Sequence, residues 1–170
     1  MNIPRIAQAF GKDRCNYAKN RIFQKGFPMK TVAQMLELKS TGVISISQEA
    51  TVLDALKLLA EKDIGALLVM DGTRLVGIFS ERDYARKVSL KGKASADTPV
   101  SEIMTRQVVC VTPKQTNEEC MALMTEKHVR HLPVIDKDRV LGVLSIGDLV
   151  KDAISEQQFI ISQLEHYIHR

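Results

Sequence analysis

The residues best placed to do chemistry fall in two short patterns, Ser80-x-x-Asp83 and Ser145-x-x-Asp148, each led in by an apolar run that starts at a glycine. A Ser at a helix N-cap with an acid three residues on satisfies free backbone N–H groups and complements the helix dipole, which is a purely structural use. The same geometry suits a ligand. A helix N-terminus with a hydroxyl attracts phosphate, and a carboxylate one turn later can accept two hydrogen bonds from a ribose 2′,3′-diol. Gly77 and Gly142, three residues ahead of each Ser, are expected to let such a ligand approach the backbone closely. Both readings, capping and binding, stand at this point.

The two motifs differ inside. The first holds Glu81-Arg82 and the second Ile146-Gly147, so Arg82 could add a forked phosphate contact at one site only. Arg130-His131 align in turn with Gly65-Ala66, where small residues leave room for a flat base or a second nucleoside. Lys39 is a further candidate phosphate partner, or simply a solvated lysine. His128-x-x-His131 and His166-x-x-His169 each have spacing i, i+3. The first pair straddles a helix end, and the second lacks a third ligand, so no metal site is expected. No Gly-x-Ser-x-Gly elbow, P-loop or acidic metal cluster is readable, which argues against an enzyme. The three cysteines, Cys15, Cys110 and Cys120, are odd in number and form no Cys-x-x-Cys pair, which fits a reducing cytosol; Cys110 is expected to face inward from a strand and Cys120 to lie on a helix, both inert when buried.

These motifs sit at the ends of an internal repeat. At an offset of 65 residues, 43–86 lie over 108–151 without a gap, and twelve of the 44 pairs are identical. Upstream, 32–36 match 100–104 at an offset of 68, so a three-residue length difference falls around Lys39 to Gly42. Each unit predicts a short leading helix (32–38; 100–104), a short strand (43–46; 108–111) and a Thr-capped helix (51–62; 116–127). A hairpin of two strands follows (66–70 and 75–79; 132–135 and 140–144), and then a helix from Ser80 or Ser145. One β-α-β-β-α unit of about 60 residues cannot bury both faces of its small sheet, whereas two packed sheet to sheet with pseudo-twofold symmetry can. The fold class is therefore α/β in the α+β sense.

The element order, the two Gly-h-h-Ser-x-x-Asp endings and Arg130-His131-Leu132-Pro133-Val134 resemble a tandem pair of cystathionine-β-synthase (CBS) domains, the Bateman module. The resemblance covers roughly residues 30–152. It implies a stand-alone, non-catalytic regulatory or sensor module that needs no cofactor. Its clefts would take an adenosine-containing ligand such as AMP, ADP, ATP, NAD or S-adenosylmethionine. The resemblance also implies a homodimer and a target protein of unknown identity. By the same resemblance Asp83 and Asp148 hold ribose, Ser80 and Ser145 lie near phosphate, and Arg130 and His131 reach phosphate. A purine would sit against residues flanking the first strand of each repeat: Thr41, Val43, Ile44 and Ile46, or Val108, Val109 and Val111. Ala66 and Pro133, at the starts of the hairpins, join that set of ligand-binding candidates. For most of these apolar residues the competing role is plain core packing.

The chain divides into a basic extension (1–29), the first repeat (30–95), the second repeat (96–152) and a C-terminal helical extension (153–170). It has 170 residues, 45% of them apolar and 26% charged, with a net charge of +4 and only 5% aromatic, so an aliphatic globular core is expected. Residues 1–30 carry Arg5, Lys12, Arg14, Lys19, Arg21, Lys25 and Lys30 against the single acid Asp13, while the remainder is slightly acidic. The basic segment suggests nucleic acid as an alternative partner, although no helix-turn-helix, zinc finger or aromatic-studded sheet supports it. Met29, where the module begins, is a candidate start of the natural chain. No run is long enough to span a bilayer and no secretory signal is present, so a cytoplasmic location is the expectation. From Ile146 to Ile168 the chain reads as one long helix. Its apolar residues must bury on its own module or on the same helix of a second chain.

Overall fold

Threonine caps open three helices, two of them, at Thr51 and Thr116, where the sequence predicts and a third, at Thr31, that it does not. In the computed structural model, which describes residues 30–39 and 42–168, Thr31, Thr51 and Thr116 cap α1 (Val32–Glu37), α2 (Val52–Lys62) and α5 (Asn117–Lys127). Each threonine hydroxyl accepts from the backbone N–H three residues on. Between α1 and α5 lie β1 (Ser45–Ser47), β2 (Ala66–Asp71), β3 (Arg74–Ser80), α3 (Glu81–Lys87) and α4 (Val100–Ile103). After α5 come β4 (His131–Asp136), β5 (Arg139–Ser145) and α6 (Ile146–Ile168).

The repeat is visible in the register of the hairpins. β2 pairs antiparallel with β3 and β4 with β5, and both ladders slip at the same place, between Val69 and Met70 and between Val134 and Ile135. β1 runs parallel to β2. The strand expected over 108–111 does not form: only Val111 bridges Val134. The cause lies in the opposite strand. In the first repeat Leu68 N–H donates to Ile44 O at 3.4 Å, but the counterpart of Leu68 is Pro133, which has no N–H to give. Two bonds survive, Val111 N–H to Pro133 O and Ile135 N–H to Val111 O, both at 2.9 Å.

The leading helices are exchanged. Val32 N–H donates to Gln115 O and Val100 N–H to Ala50 O, both at 2.8 Å, a reciprocal pair that marks the pseudo-twofold axis. Val32 and Met35 of α1 therefore pack with Val111, Cys120, Met124, Leu132, Val134, Leu144 and Leu149. Val100, Ile103 and Met104 pack with Val52, Leu59, Leu67, Val69 and Phe79. Sequence order assigns each helix to the repeat it precedes; in space each completes the core of the other. This exchange also corrects the reading of Gly77 and Gly142. A Cβ on Gly77 would lie 2.6 Å from Met104 Sδ, and one on Gly142 would lie 2.8 Å from Leu36 Cδ2. These glycines admit the exchanged helices, not a ligand.

Residues Ala66 to Val69 are all buried, so both faces of β2 are covered. Leu67 and Val69 face their own core. The opposite face meets the second repeat, and the His131 ring lies 3.5 Å from the position of a Cβ on Gly65. α6 is anchored at its start: Asn117 Nδ2 donates to Leu149 O (2.9 Å) and Asp152 Oδ2 (2.8 Å), and Lys30 Nζ pairs with Asp152 Oδ1 at 2.8 Å. Beyond that anchor Ile154, Ile161, Leu164 and Ile168 are exposed. The extension 1–29, with its basic residues and Cys15, and His169 lie outside the described residues. No helix among the described residues is long and apolar enough to cross a membrane.

Candidate ligand site

Each Ser-x-x-Asp motif forms a cap at the end of its strand. Ser80 and Ser145 each donate their N–H and hydroxyl to Oδ2 of the Asp three residues on, and each hydroxyl accepts from the Asp N–H. The structural reading is thus realised at both. What surrounds the two carboxylates is not the same.

Asp148 lies in a cleft of about 550 Å³ between the repeats. The cleft is lined from the first repeat by Lys39, Gly42, Ile44, Ile64, Gly65 and Ala66. Arg130, His131, Val143, Ser145 and Gly147 line it from the second. The sheets explain the convergence. β2 and β4 both start at this end, and β5 turns into α6 at the same end. Lys39 Nζ crosses from the segment after α1 to Asp148 Oδ2 (2.8 Å) and Val143 O (2.9 Å). Asp148 Oδ2 therefore takes three donors, while no donor among the described residues reaches Oδ1. Burial opposes ionisation of this carboxyl, but hydrogen bonds from Lys39 and Ser145 outweigh it and hold its pKa below the ordinary value.

Asp83, the counterpart, has no free oxygen. Its Oδ1 accepts from Thr105 Oγ1 at 3.1 Å and pairs with Lys87 Nζ at 2.6 Å. Lys87 is itself held by Ile103 O at 2.8 Å. Arg82, expected as a phosphate contact, is not among the residues that line the Asp148 cleft. Its Nη1 donates to His128 O at 3.2 Å, at the carbonyl end of α5.

His131 is half-buried and its pKa is pushed down to about 4, by burial first and then by the neighbouring charges of Arg130 and Lys39. It is neutral at pH 7 and offers hydrogen bonds, not charge, so the cation suited to phosphate at this pair is the exposed Arg130. The purine candidates separate as well. Ile44 lines the cleft, whereas Val43 is exposed outside the lining and Ile46 packs on the first core. Val109 packs on the second core, Val108 is half-buried outside the lining, and Pro133 is buried in β4. Thr41 lies outside the described residues.

Sequence reasoning missed Lys62, Asp63 and Glu81 on the rim. Asp63 closes α2 in a left-handed conformation (φ 51°), as His128 closes α5 (φ 54°), which turns the chain into the next strand at the mouth of the cleft. The available signal was that the α2–β2 turn must share an end with the β5–α6 junction. Among the described residues no group of three or more His, Cys, Asp or Glu is arranged to hold a metal ion. Burial pushes the Cys110 thiol up to about 11, and burial with the charge of Glu119 does the same to Cys120, so neither is a thiolate nucleophile at pH 7.

A family model of the CBS domain matches residues 35–90 and again 100–154. A mitochondrial CBS domain-containing protein from Arabidopsis thaliana is 33% identical over 157 residues, covering 87% of this chain and 76% of that protein. A protein with CBS domains from Burkholderia ambifaria, of known structure, is 52% identical with a TM-score of 0.73, covering 75% of this chain and 96% of that one. A further crystal structure of a CBS domain is 54% identical with a TM-score of 0.72, over 75% of this chain and 99% of that one.

Proposed function

The chain belongs to the CBS-domain family, and on that premise we propose that it is a regulatory module that binds one adenosine-containing ligand at the Asp148 cleft. Candidate ligands are AMP, ADP, ATP and NAD. Binding would change how the repeats sit against each other, and a target protein would read that change. The observation that supports this most is the state of Asp148. It presents an uncommitted carboxylate oxygen to an open cleft, with Lys39 and Arg130 beside it. Asp83 has both oxygens engaged by the protein's own groups, which favours one ligand per chain over two.

In this reading Asp148 takes the ribose diol, Arg130 and Lys39 take phosphate, and Ile44, Ile64 and Ala66 offer apolar surface to the base. In this reading the module binds and does not catalyse, and Ser145 and Asp148 serve as cap and ribose contact. A homodimer joined along α6 belongs to the same proposal, supported by the exposed Ile154, Ile161, Leu164 and Ile168 of that helix. Among the described residues nothing favours the nucleic-acid alternative: Lys30, the one described residue of the basic run, is paired with Asp152.

Calorimetry with the four nucleotides tests the reading. At least one should bind the wild type, and Asp148→Asn should weaken it by about tenfold or more, since a hydrogen bond to a charged group is worth about 1.5–3 kcal/mol. If none of the four binds, the reading is overturned.

A further inference from the structure

We infer that Lys39 is the specificity-determining residue of the cleft, a displaceable counter-ion that makes binding depend on a phosphate on the nucleoside. This inference rests on the ligand reading given above.

Three observations carry it. First, the charges lining the cleft balance: Lys39, Lys62 and Arg130 stand against Asp63, Glu81 and Asp148. With His131 neutral, the cleft has no surplus positive field with which to draw in an anion. Among the described residues Arg130 has no ion pair and can meet a phosphate directly, so a second full cationic partner is gained only where Lys39 is released from Asp148. Second, the acceptor geometry of Asp148 sets up that release. A ribose diol brings two O–H donors. Oδ2 already receives Ser145 N–H, Ser145 Oγ and Lys39 Nζ at 2.7, 2.7 and 2.8 Å. A diol that binds bidentately, one hydroxyl to each carboxylate oxygen, needs the place on Oδ2 that Lys39 holds. Third, Lys39 is the member able to leave. It stands outside any helix, in the connection that is three residues longer than its counterpart, and besides Asp148 its ammonium holds Val143 O alone. The corresponding pair, Lys87–Asp83, lies within one helix, and Lys87 is further bound to both Ile103 O and Thr105 Oγ1.

The two events therefore exchange partners. The diol replaces Lys39 on Asp148, and the freed ammonium pairs with the 5′-phosphate. An unphosphorylated nucleoside must displace Lys39 with no anion to receive it, so it binds poorly.

The test compares AMP with adenosine by calorimetry, on the wild type, Lys39→Met and Lys39→Gln. The wild type should prefer AMP by about tenfold or more. In both variants AMP should weaken while adenosine holds or tightens, so that the preference collapses toward one. A structural role for Lys39 would weaken both ligands equally, and that result, or an unchanged preference, overturns the inference. If the wild type binds AMP and Asp148→Asn abolishes this while the Lys39 variants keep the preference, the inference falls and the ligand reading stands. If the wild type binds neither molecule, the inference falls, and the ligand reading falls with it only where ADP, ATP and NAD also fail to bind.

Discussion

Adding one methyl group at Gly77 tests the helix exchange on which the cleft is built. In Gly77→Ala the new Cβ would meet Met104 Sδ at 2.6 Å, Met104 Cγ at 3.0 Å and Thr105 O at 3.2 Å. Met104 can shift its flexible end. Thr105 O cannot, because Thr105 and Ile78 exchange backbone hydrogen bonds of 2.8 and 3.0 Å. Overpacking a core costs about 1–3 kcal/mol. The lost freedom of the unfolded chain returns about 0.4–1 kcal/mol. The net destabilisation is about 1–2 kcal/mol, a fall in Tm of roughly 3–8 °C for a chain of this size. Urea and thermal unfolding read it directly. Gly42→Ala is the control: nothing lies within 4 Å of that Cβ, so its stability should hold or rise slightly. Met104→Ala should relieve the clash, so the double variant should lose less than the two singles together. A neutral or stabilising Gly77→Ala would refute the exchanged packing.

His131 makes stability depend on pH. Its native pKa, about 4, lies below the ordinary 6.5, so between these values the unfolded chain binds the extra proton. Stability should be full above about pH 6.5 and fall progressively toward pH 4. His131→Gln should flatten that part of the curve, and an unchanged acid limb in urea titrations would exclude His131 as its source. Removing residues 157–170 keeps the Asp152 anchor and deletes Phe159, Ile161, Leu164 and Ile168. Light scattering should then show a monomer where the full chain is a dimer; an unchanged mass would move the interface elsewhere.

Much of this architecture was legible from the chain because the repeat is a matter of register. Gly, Ser, Asp and the Thr caps recur at one offset, and α2, α5, both hairpins and the whole of α6 fall where spacing places them. The loss of the strand over 108–111 was written in Pro133, but reading it required knowing which strand Pro133 opposes. The helix exchange was not legible, since periodicity identifies an apolar face and not the core that receives it. The site was half legible. The motif located Ser145 and Asp148, and Arg130 and Lys39 were named, yet the same motif pointed equally to Asp83. What separates the two carboxylates comes largely from residues distant in sequence: Thr105, with the helical neighbour Lys87, engages one fully, and Lys39 leaves the other an oxygen.

The number of nucleotides bound per chain tests the central claim most directly. Equilibrium dialysis of the wild type with its tightest-binding adenine nucleotide should give one molecule per chain, retained in Asp83→Asn and lost in Asp148→Asn. Two molecules per chain, or one that disappears with Asp83→Asn and survives Asp148→Asn, would contradict the assignment of the site to Asp148.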